Sequence, residues 1–182
     1  MSLSGVKRQT VLLSLIEKMK VNGSWCGETH IQKCGYFLQE LLSVPLGFEY
    51  ILYKHGPFSF DLRDELGLMR SNMIIELINR SPFGSSISPG DAADSLKQMY
   101  PKTSTMYTKE IDFIVNKFAN FGVAELERLA TAFYVTTKHE RESNIERAKI
   151  LNKLKPHVSL GEAKEAITSM EAIMKEAECV LH

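Results

Sequence analysis

The sequence predicts a mainly α protein of the α+β class, with a winged-helix-like N-terminal half carrying a small sheet and a C-terminal helical half packed against it. Two observations favour this class. The first half presents two helical patterns, a short strand, a helix and a two-stranded hairpin, in the order of a winged helix-turn-helix. The second half shows helical periodicity throughout. We expect a winged-helix-like domain over 1–90 and a helical domain over 91–182, without a flexible linker.

The composition is that of an ordinary globular protein. Of 182 residues, 44% are hydrophobic and 24% are charged, and Lys plus Arg (22) equals Asp plus Glu (22). Because nucleic-acid binders commonly carry a basic excess that displaces counterions from phosphate, this balance disfavours DNA as the partner. We find no signal-peptide pattern and no run near the roughly 20 apolar residues of a membrane span, so we expect a cytoplasmic protein without a membrane segment.

Apolar spacing predicts the first two helices. Residues 6–20 carry apolar side chains three and four apart, and an Asn-Gly pair follows them. A second helix runs from about residue 28 to residue 42, where Pro45 and Gly47 stop it.

The stretch "YKHGPFSFDLRDEL", residues 53–66, forms a corner. Before it, "FEYILYK" (48–54) mixes β-branched and aromatic residues and predicts a strand. Gly56 and Pro57 then turn the chain, and Ser59 is suited to cap a third helix.

A hairpin is predicted after the third helix. "MIIELIN" (73–79) reads as a strand, and "RSPFGSSISPG" (80–90) as a tip followed by a short return strand. We expect the strand at 48–54 to join these two as the third strand of one small sheet.

Five helices are predicted after residue 90. Pro101 closes the first of them, and Gly122 stands where a C-cap glycine is expected. The last helix is the clearest, because Ser159 and Glu162 form a capping box before it. Its apolar stripe needs a cover from the same chain or from a second copy, so a homodimer through this helix is one hypothesis. The stripe consists of Leu160, Ala163, Ile167, Met170, Met174, Ala177 and Leu181.

The sequence gives little indication of an enzyme. Cys26, His30 and Cys34 are spaced four apart, as zinc ligands on one helix face would be, but no fourth ligand is near and Cys26 precedes the helix. A Gly-x-Ser-x-Gly elbow and a phosphate-binding loop are both missing. We therefore predict three reduced cysteines, no metal, no cofactor and no enzymatic activity.

Two kinds of function remain once an enzyme is disfavoured, namely recognition of DNA and recognition of a protein. In a winged helix the third helix would enter the major groove. Here "SFDLRDELGLMR" contains three acidic and two basic residues. The charged residues of the following hairpin are one basic residue, Arg80, and one acidic residue, Glu76. This charge balance favours a protein partner, with a DNA-binding transcriptional regulator as the alternative.

The candidate binding residues lie around the second helix and the corner. Exposed aromatic residues beside cations would form an anchor set of the kind that dominates protein interfaces, whereas buried ones would only fill the core. A further alternative is a small-molecule sensor with a pocket between the two halves, lined by Trp25, Tyr53 and Lys54. The candidate residues are Trp25, Gln32, Lys33, Tyr36, Tyr53, Lys54, His55, Pro57, Phe58 and Arg63.

Two segments carry a family resemblance. "THIQKCGYFLQELL" (29–42) followed by the corner resembles the uncharacterised prokaryotic proteins of the YwgA-like type, and more distantly the Panacea (SocA-like) domain of antitoxins and proteolysis adaptors. "ELERLATAFYV" (125–135) and "LKPHVSLGEAKEAI" (154–167) also fit the YwgA-like pattern. The resemblance implies a winged-helix-like module that regulates through protein contact. We expect a non-enzymatic, antitoxin-like regulatory or interaction module.

Overall fold

The chain is a mainly α protein with two small antiparallel sheets. The computed structural model describes residues 3–79 and 84–181. Within these ranges the N-terminal half contains α1 (Gly5–Val21), α2 (Glu28–Glu40), β1 (Ile51–Tyr53), β2 (Gly56–Phe58), α3 (Phe60–Ser71), β3 (Ile75–Asn79) and β4 (Ser85–Pro89). The C-terminal half contains α4 (Ala93–Met99), α5 (Pro101–Met106), α6 (Thr108–Phe118), α7 (Val123–Lys138), α8 (Asn144–Leu154) and α9 (Leu160–Leu181).

The strands form two separate hairpins. β1 pairs with β2, with Ile51 opposite Phe58, and β3 pairs with β4, with Ile75 opposite Pro89. In the described part of the chain β1 forms no ladder with β3 or β4, so the prediction of one three-stranded sheet is wrong. The chain reverses directly after β1, so β1 finds its partner in β2, a strand that the sequence did not predict. The predicted hairpin tip at 80–83, including Arg80, lies outside the described residues.

The first hairpin turns at Lys54 and His55, whereas the sequence placed the turn at Gly56 and Pro57. Gly56 has a φ of +83°, in the left-handed region that residues with a Cβ rarely adopt. A Cβ at Gly56 would also lie 3.1 Å from Thr131 Oγ1 on α7. Backbone conformation and the close approach to α7 therefore both favour glycine here.

The third helix begins where the sequence predicts. Ser59 Oγ accepts a hydrogen bond from the Leu62 N–H at 3.2 Å, which is an N-cap contact. Glu65 turns inward, where Arg8 Nε donates to Oε2 at 2.9 Å and Gln9 Nε2 donates to Oε1 at 2.6 Å. These bonds bring α1 and α3 together and neutralise a charge that the sequence assigned to the surface.

The exposed charges of α3 are consequently balanced. Asp61 and Asp64 face solvent together with Arg63 and Arg70, and Arg63 pairs with Asp64 at 2.9 Å. The prediction of an outwardly acidic third helix is wrong, because the third acid is buried against α1.

The C-terminal half contains a helix that the sequence did not predict. Pro101 begins α5, since proline at the first helical position loses no intrahelical hydrogen bond. The predicted capping box of α9 is confirmed, with Glu162 N–H bonded to Ser159 Oγ at 3.2 Å and Ser159 N–H bonded to Glu162 Oε2 at 2.9 Å. The middle of the apolar stripe of α9 is buried where this helix packs on α7 and α8 of the same chain, whereas Leu160 and Leu181 at its ends are 39% and 44% exposed. A homodimer through this helix stays a prediction.

One hydrophobic core joins the two halves. α2 packs against α6 and α7, and β2 contacts both α2 and α7. Phe37 of α2 stacks on Phe118 of α6 with ring centroids 4.0 Å apart, and both rings are fully buried. The first hairpin is therefore supported by helices from both halves. None of the helices within 3–79 and 84–181 has the length and apolar content needed to cross a membrane.

We expect Gly56→Ala to lower the free energy of unfolding by roughly 1–2 kcal/mol or more, because a Cβ is strained in the left-handed region and crowds α7. Gly67→Ala is the control, since Gly67 lies inside α3 with open space around it and alanine favours a helix over glycine. Urea unfolding should show a loss for Gly56→Ala and no loss for Gly67→Ala. Equal stabilities of the two variants would contradict the role given to Gly56.

Candidate functional site at the first hairpin

The first hairpin has one outward and one inward face. Because side chains alternate along a strand, Ile51, Tyr53 and Phe58 share one side and Leu52 and Pro57 share the other. Ile51 and Tyr53 are 42% and 54% exposed, whereas Pro57 is buried. The hairpin thus presents large apolar side chains to solvent while its opposite side packs on the helices.

Three aromatic rings cluster on the outward side. The ring centroids of Tyr53 and Phe58 are 5.8 Å apart, those of Phe58 and Phe60 are 5.1 Å apart, and those of Tyr53 and Phe60 are 5.6 Å apart. Arg63 lies over Phe60, with Cζ 5.0 Å from the ring centroid. We call Ile51, Tyr53, Phe58 and Phe60 the hairpin face. Aromatic residues and arginine are the types enriched at the energetic centres of protein interfaces.

Charged side chains are buried beneath the hairpin. Lys33 of α2 is 1% exposed and its Nζ donates to the Pro57 carbonyl oxygen at 2.9 Å. Lys155, directly after α8, donates to the Lys54 carbonyl oxygen at 2.5 Å. Its Nζ also lies 2.8 Å from Oε1 of Glu127 on α7. We call Lys33, Glu127 and Lys155 the lysine–glutamate cluster, in which one cation from α2 and one from the residue after α8 bind carbonyl groups of one hairpin.

Burial and mutual charge set the protonation of this cluster. Burial lowers the pKa of Lys33 to about 8, against the opposing charge of Glu127, and the charge of Lys155 lowers it further. Burial by itself raises the pKa of Glu127, but the proximity of Lys155 and His55 outweighs burial and leaves that pKa below its usual value. Glu127 is therefore ionised at neutral pH and compensates the charge of the lysines.

The Lys155–Glu127 contact is an ion pair and not a well-aligned hydrogen bond. Although Nζ and Oε1 are 2.8 Å apart, Oε1 accepts no hydrogen bond of good geometry within the described ranges. His55 approaches the other oxygen, with Nδ1 3.2 Å from Oε2, and its ring is 63% exposed. A second histidine, His157, approaches Oε1, with Nε2 3.9 Å away and a ring that is 66% exposed. The cluster consequently reaches the surface at two histidines, of which His55 lies in the turn.

Gln32 fixes the other end of the hairpin. Its Nε2 donates to the Ser59 carbonyl oxygen at 2.9 Å, and its Oε1 accepts from the Ser59 N–H at 3.0 Å. Because Ser59 also caps α3, one fully buried amide connects α2, β2 and the start of α3.

The predicted binding residues divide into two groups at the hairpin. The exposed or half-buried ones are Tyr53, Lys54, His55, Phe58 and Arg63. The buried ones are Gln32, Lys33, Tyr36 and Pro57. An anchor role on the surface is therefore wrong for the buried group, whose side chains support the hairpin and the core from within.

Trp25 lies apart from these residues. It precedes α2 and is half-buried, and its carbonyl oxygen accepts a hydrogen bond from Ser86 Oγ on β4 at 2.7 Å. This contact places Trp25 beside the second hairpin, so it is not a member of the hairpin face.

Sequence reasoning missed Glu127 and Lys155. Charged residues are mostly exposed, and nothing in the local pattern marks these two as buried. The one signal was indirect, since both lie in segments that carry the family resemblance, 125–135 and 154–167.

The spaced cysteines and histidine are placed in the interior. Burial raises the pKa of Cys26 to about 12 and also raises that of Cys34, so both thiols stay protonated at neutral pH. His30 Nε2 lies 3.1 Å from the Phe121 carbonyl oxygen. Within residues 3–79 and 84–181 no group of three or more His, Cys, Asp or Glu side chains is arranged to hold a metal ion.

Comparison with known proteins assigns no family, because no family model and no curated protein matches the chain. The resemblance to YwgA-like proteins and to the Panacea domain stays a prediction. Function is therefore inferred from the geometry of the first hairpin.

Stability should depend on pH through Lys33. In the unfolded chain a lysine has its ordinary pKa of 10.5, whereas Lys33 in the fold has a pKa of about 8. Between these values the unfolded chain binds a proton that the folded chain does not, so stability increases as pH rises through this window. Urea unfolding across the window should show the wild type gaining stability relative to Lys33→Met. The control is Lys164→Met, at an exposed lysine of α9, which should differ from the wild type by a constant amount; a constant difference for Lys33→Met too would contradict the burial effect.

Proposed function

We propose that the chain is a non-enzymatic regulatory module that binds another protein through the hairpin face. The observation that carries the proposal is the cluster of Tyr53, Phe58 and Phe60 at the surface, with Arg63 over one ring. Contiguous exposed apolar groups with polar neighbours are typical of protein interaction sites. A partner would bury the rings that water now contacts.

The support beneath the face favours a binding role. Two-stranded hairpins with three-residue strands are marginal by themselves, yet this one is fixed by Gln32 and by the lysine–glutamate cluster. A surface that is rigid before binding loses less conformational entropy when a partner docks. The buried polar contacts therefore suit a preformed recognition element.

A more specific version of this proposal is that the chain acts like an antitoxin. It is supported by the resemblance to the Panacea domain, whose members include antitoxins and proteolysis adaptors. In that form the partner would be a toxin, or a protease to which the chain delivers a substrate.

DNA binding is the second candidate. The observation that favours it is the balanced charge on the outside of α3, which would repel a duplex less than the sequence suggested. The whole chain nevertheless has no basic excess, and among the strands within 3–79 and 84–181 β1 pairs with β2 and not with β3 or β4. Charge therefore supports a protein partner better than a polyanion.

Site-specific photo-crosslinking tests the proposal. Benzoylphenylalanine would replace Tyr53 in one variant and Met106 in another, because these side chains are 54% and 55% exposed and Met106 ends α5, away from the hairpin face. In cells of the source organism we expect a discrete crosslinked protein from position 53 that position 106 does not give. Identical crosslinking patterns at the two positions would contradict the proposal.

The crosslinked protein then provides a quantitative test. A Tyr53→Ser/Phe60→Ser variant should bind the purified crosslinked protein at least about tenfold more weakly than the wild type does. The reason is that truncation of a central aromatic residue commonly lowers the binding free energy by more than about 1 kcal/mol. Unchanged affinity would show that the hairpin face does not contribute to the interface. Tight, salt-dependent binding of the wild type to duplex DNA would favour the second candidate instead.

A further inference from the structure

The second hairpin, formed by β3 and β4, has one covered edge and one open edge. On the β4 side, the Ile87 N–H donates to the Cys26 carbonyl oxygen at 2.8 Å, and Ser86 Oγ donates to the Trp25 carbonyl oxygen. On the other side of β3, no strand within residues 3–79 and 84–181 forms a ladder. An unpaired strand edge offers a row of main-chain donors and acceptors to another strand.

The hydrogen bonds around this hairpin show which residues of β3 point to the open edge. Opposite residues in an antiparallel pair direct their main-chain groups either toward each other or away from each other. The N–H of Ile87 points away from β3, so the main-chain groups of its partner Leu77 point away from β4. The Ile74 carbonyl oxygen accepts from the Gly90 N–H at 2.9 Å, which places the even-numbered residues on the β4 side. The outward residues are therefore Ile75, Leu77 and Asn79.

The open edge lacks the features that commonly protect an exposed strand. Such edges are usually blunted by lysine, proline, a bulge or a very short strand. β3 pairs with β4 over five residues without a bulge, and its sequence IELIN has Glu76 as its one charged residue. Met73 and Leu77 are large apolar residues exposed beside this edge. A cavity of about 440 Å³ touches Ile75, Glu76 and Leu77 in turn, so there is room for another strand here.

We propose that a second copy of the chain occupies this edge, with the two β3 strands antiparallel and Leu77 opposite the partner's Leu77. The sheet then has four strands in the order β4–β3–β3–β4 about a two-fold axis, the commonest symmetry of homodimers. The chain has equal numbers of acidic and basic residues, so two copies do not repel each other through net charge. This inference goes beyond the proposed function, because it does not use the hairpin face.

The pattern of β3 is complementary to itself in this register. Ile75 faces the partner's Asn79 at both ends, so all three outward residues are paired and each pair exchanges two N–H···O bonds. Glu76 faces the partner's Ile78. Pairing centred on Glu76 would use fewer outward residues and would place two carboxylates directly opposite, which is destabilising. The side chains of β3 therefore favour a second copy in one register.

Analytical ultracentrifugation at micromolar to millimolar concentrations tests the proposal. The wild type should show a monomer–dimer equilibrium. Leu77→Lys should weaken dimerisation roughly three- to thirtyfold, because it replaces the central apolar pair by two like charges. The matched control is Leu181→Lys at the end of α9, since Leu77 and Leu181 are both 44% exposed. This control should dimerise as the wild type does, whereas a dimer through α9 would be weakened by Leu181→Lys and not by Leu77→Lys.

Disulfide trapping tests the register. Cys179 is exposed whereas Cys26 and Cys34 are buried, so the variants are made with Cys179→Ser. Glu76→Cys/Ile78→Cys should form dimers linked by disulfides under mild oxidation. The reason is that residues facing each other in a pair without hydrogen bonds have Cα atoms roughly 4.5 Å apart, which a disulfide can span. Glu76→Cys alone and Ile78→Cys alone should stay unlinked, because neither position faces itself.

The proposal is overturned by any of four results. The first is a wild type that stays monomeric over the whole concentration range. The second is wild-type dimerisation by a Leu77→Lys variant whose circular dichroism shows that it is folded. The third is disulfide trapping by the single cysteine variants and not by the double variant. The fourth is a monomeric chain in which benzoylphenylalanine at position 77 captures a different protein in cells, which would assign the edge to a foreign strand.

Discussion

Two lysines that bind main-chain carbonyls, with one glutamate beside them, determine where the first hairpin lies. Lys33 donates to the Pro57 carbonyl, and Lys155 donates to the Lys54 carbonyl and pairs with Glu127. A buried ion pair adds little stability over apolar packing, but loss of one partner leaves an uncompensated buried charge and is costly. Small displacements of the hairpin would break these contacts. The main effect of the cluster is therefore to hold the hairpin in one position, and its contribution to overall stability is small.

The surface follows from this constraint. Once the inward side of the hairpin is fixed on α2 and α7, strand alternation directs Tyr53 and Phe58 outward, where Phe60 at the start of α3 completes the aromatic cluster. Gln32 adds a second attachment through Ser59. Residues that the sequence suggested as contacts thus act at a distance, by holding in place the rings that a partner would touch.

Local patterns in the sequence were enough to predict most helices and two of their caps, but the prediction of Gly122 as a C-cap is wrong, because Gly122 is the N-cap of α7 and Ala119 ends α6. The Ser59 cap and the Ser159–Glu162 box were both found, because each depends on residues within one turn. The partner strand of β1 and the inward turn of Glu65 were not found, because both depend on segments distant in sequence. The exposed residues of the candidate site could be predicted from the corner motif, whereas the buried Glu127 and Lys155 beneath the hairpin could not.

Native-state hydrogen exchange measures how firmly the first hairpin is held. If the lysine–glutamate cluster fixes the hairpin, amides of the β1–β2 ladder in the wild type should exchange as slowly as those of α2. In Glu127→Gln the ladder amides should lose protection while those of α6 keep theirs, and Glu125→Gln, at an exposed glutamate of α7, should change neither. Rapid exchange of the ladder in the wild type, or full protection in Glu127→Gln, would contradict the account.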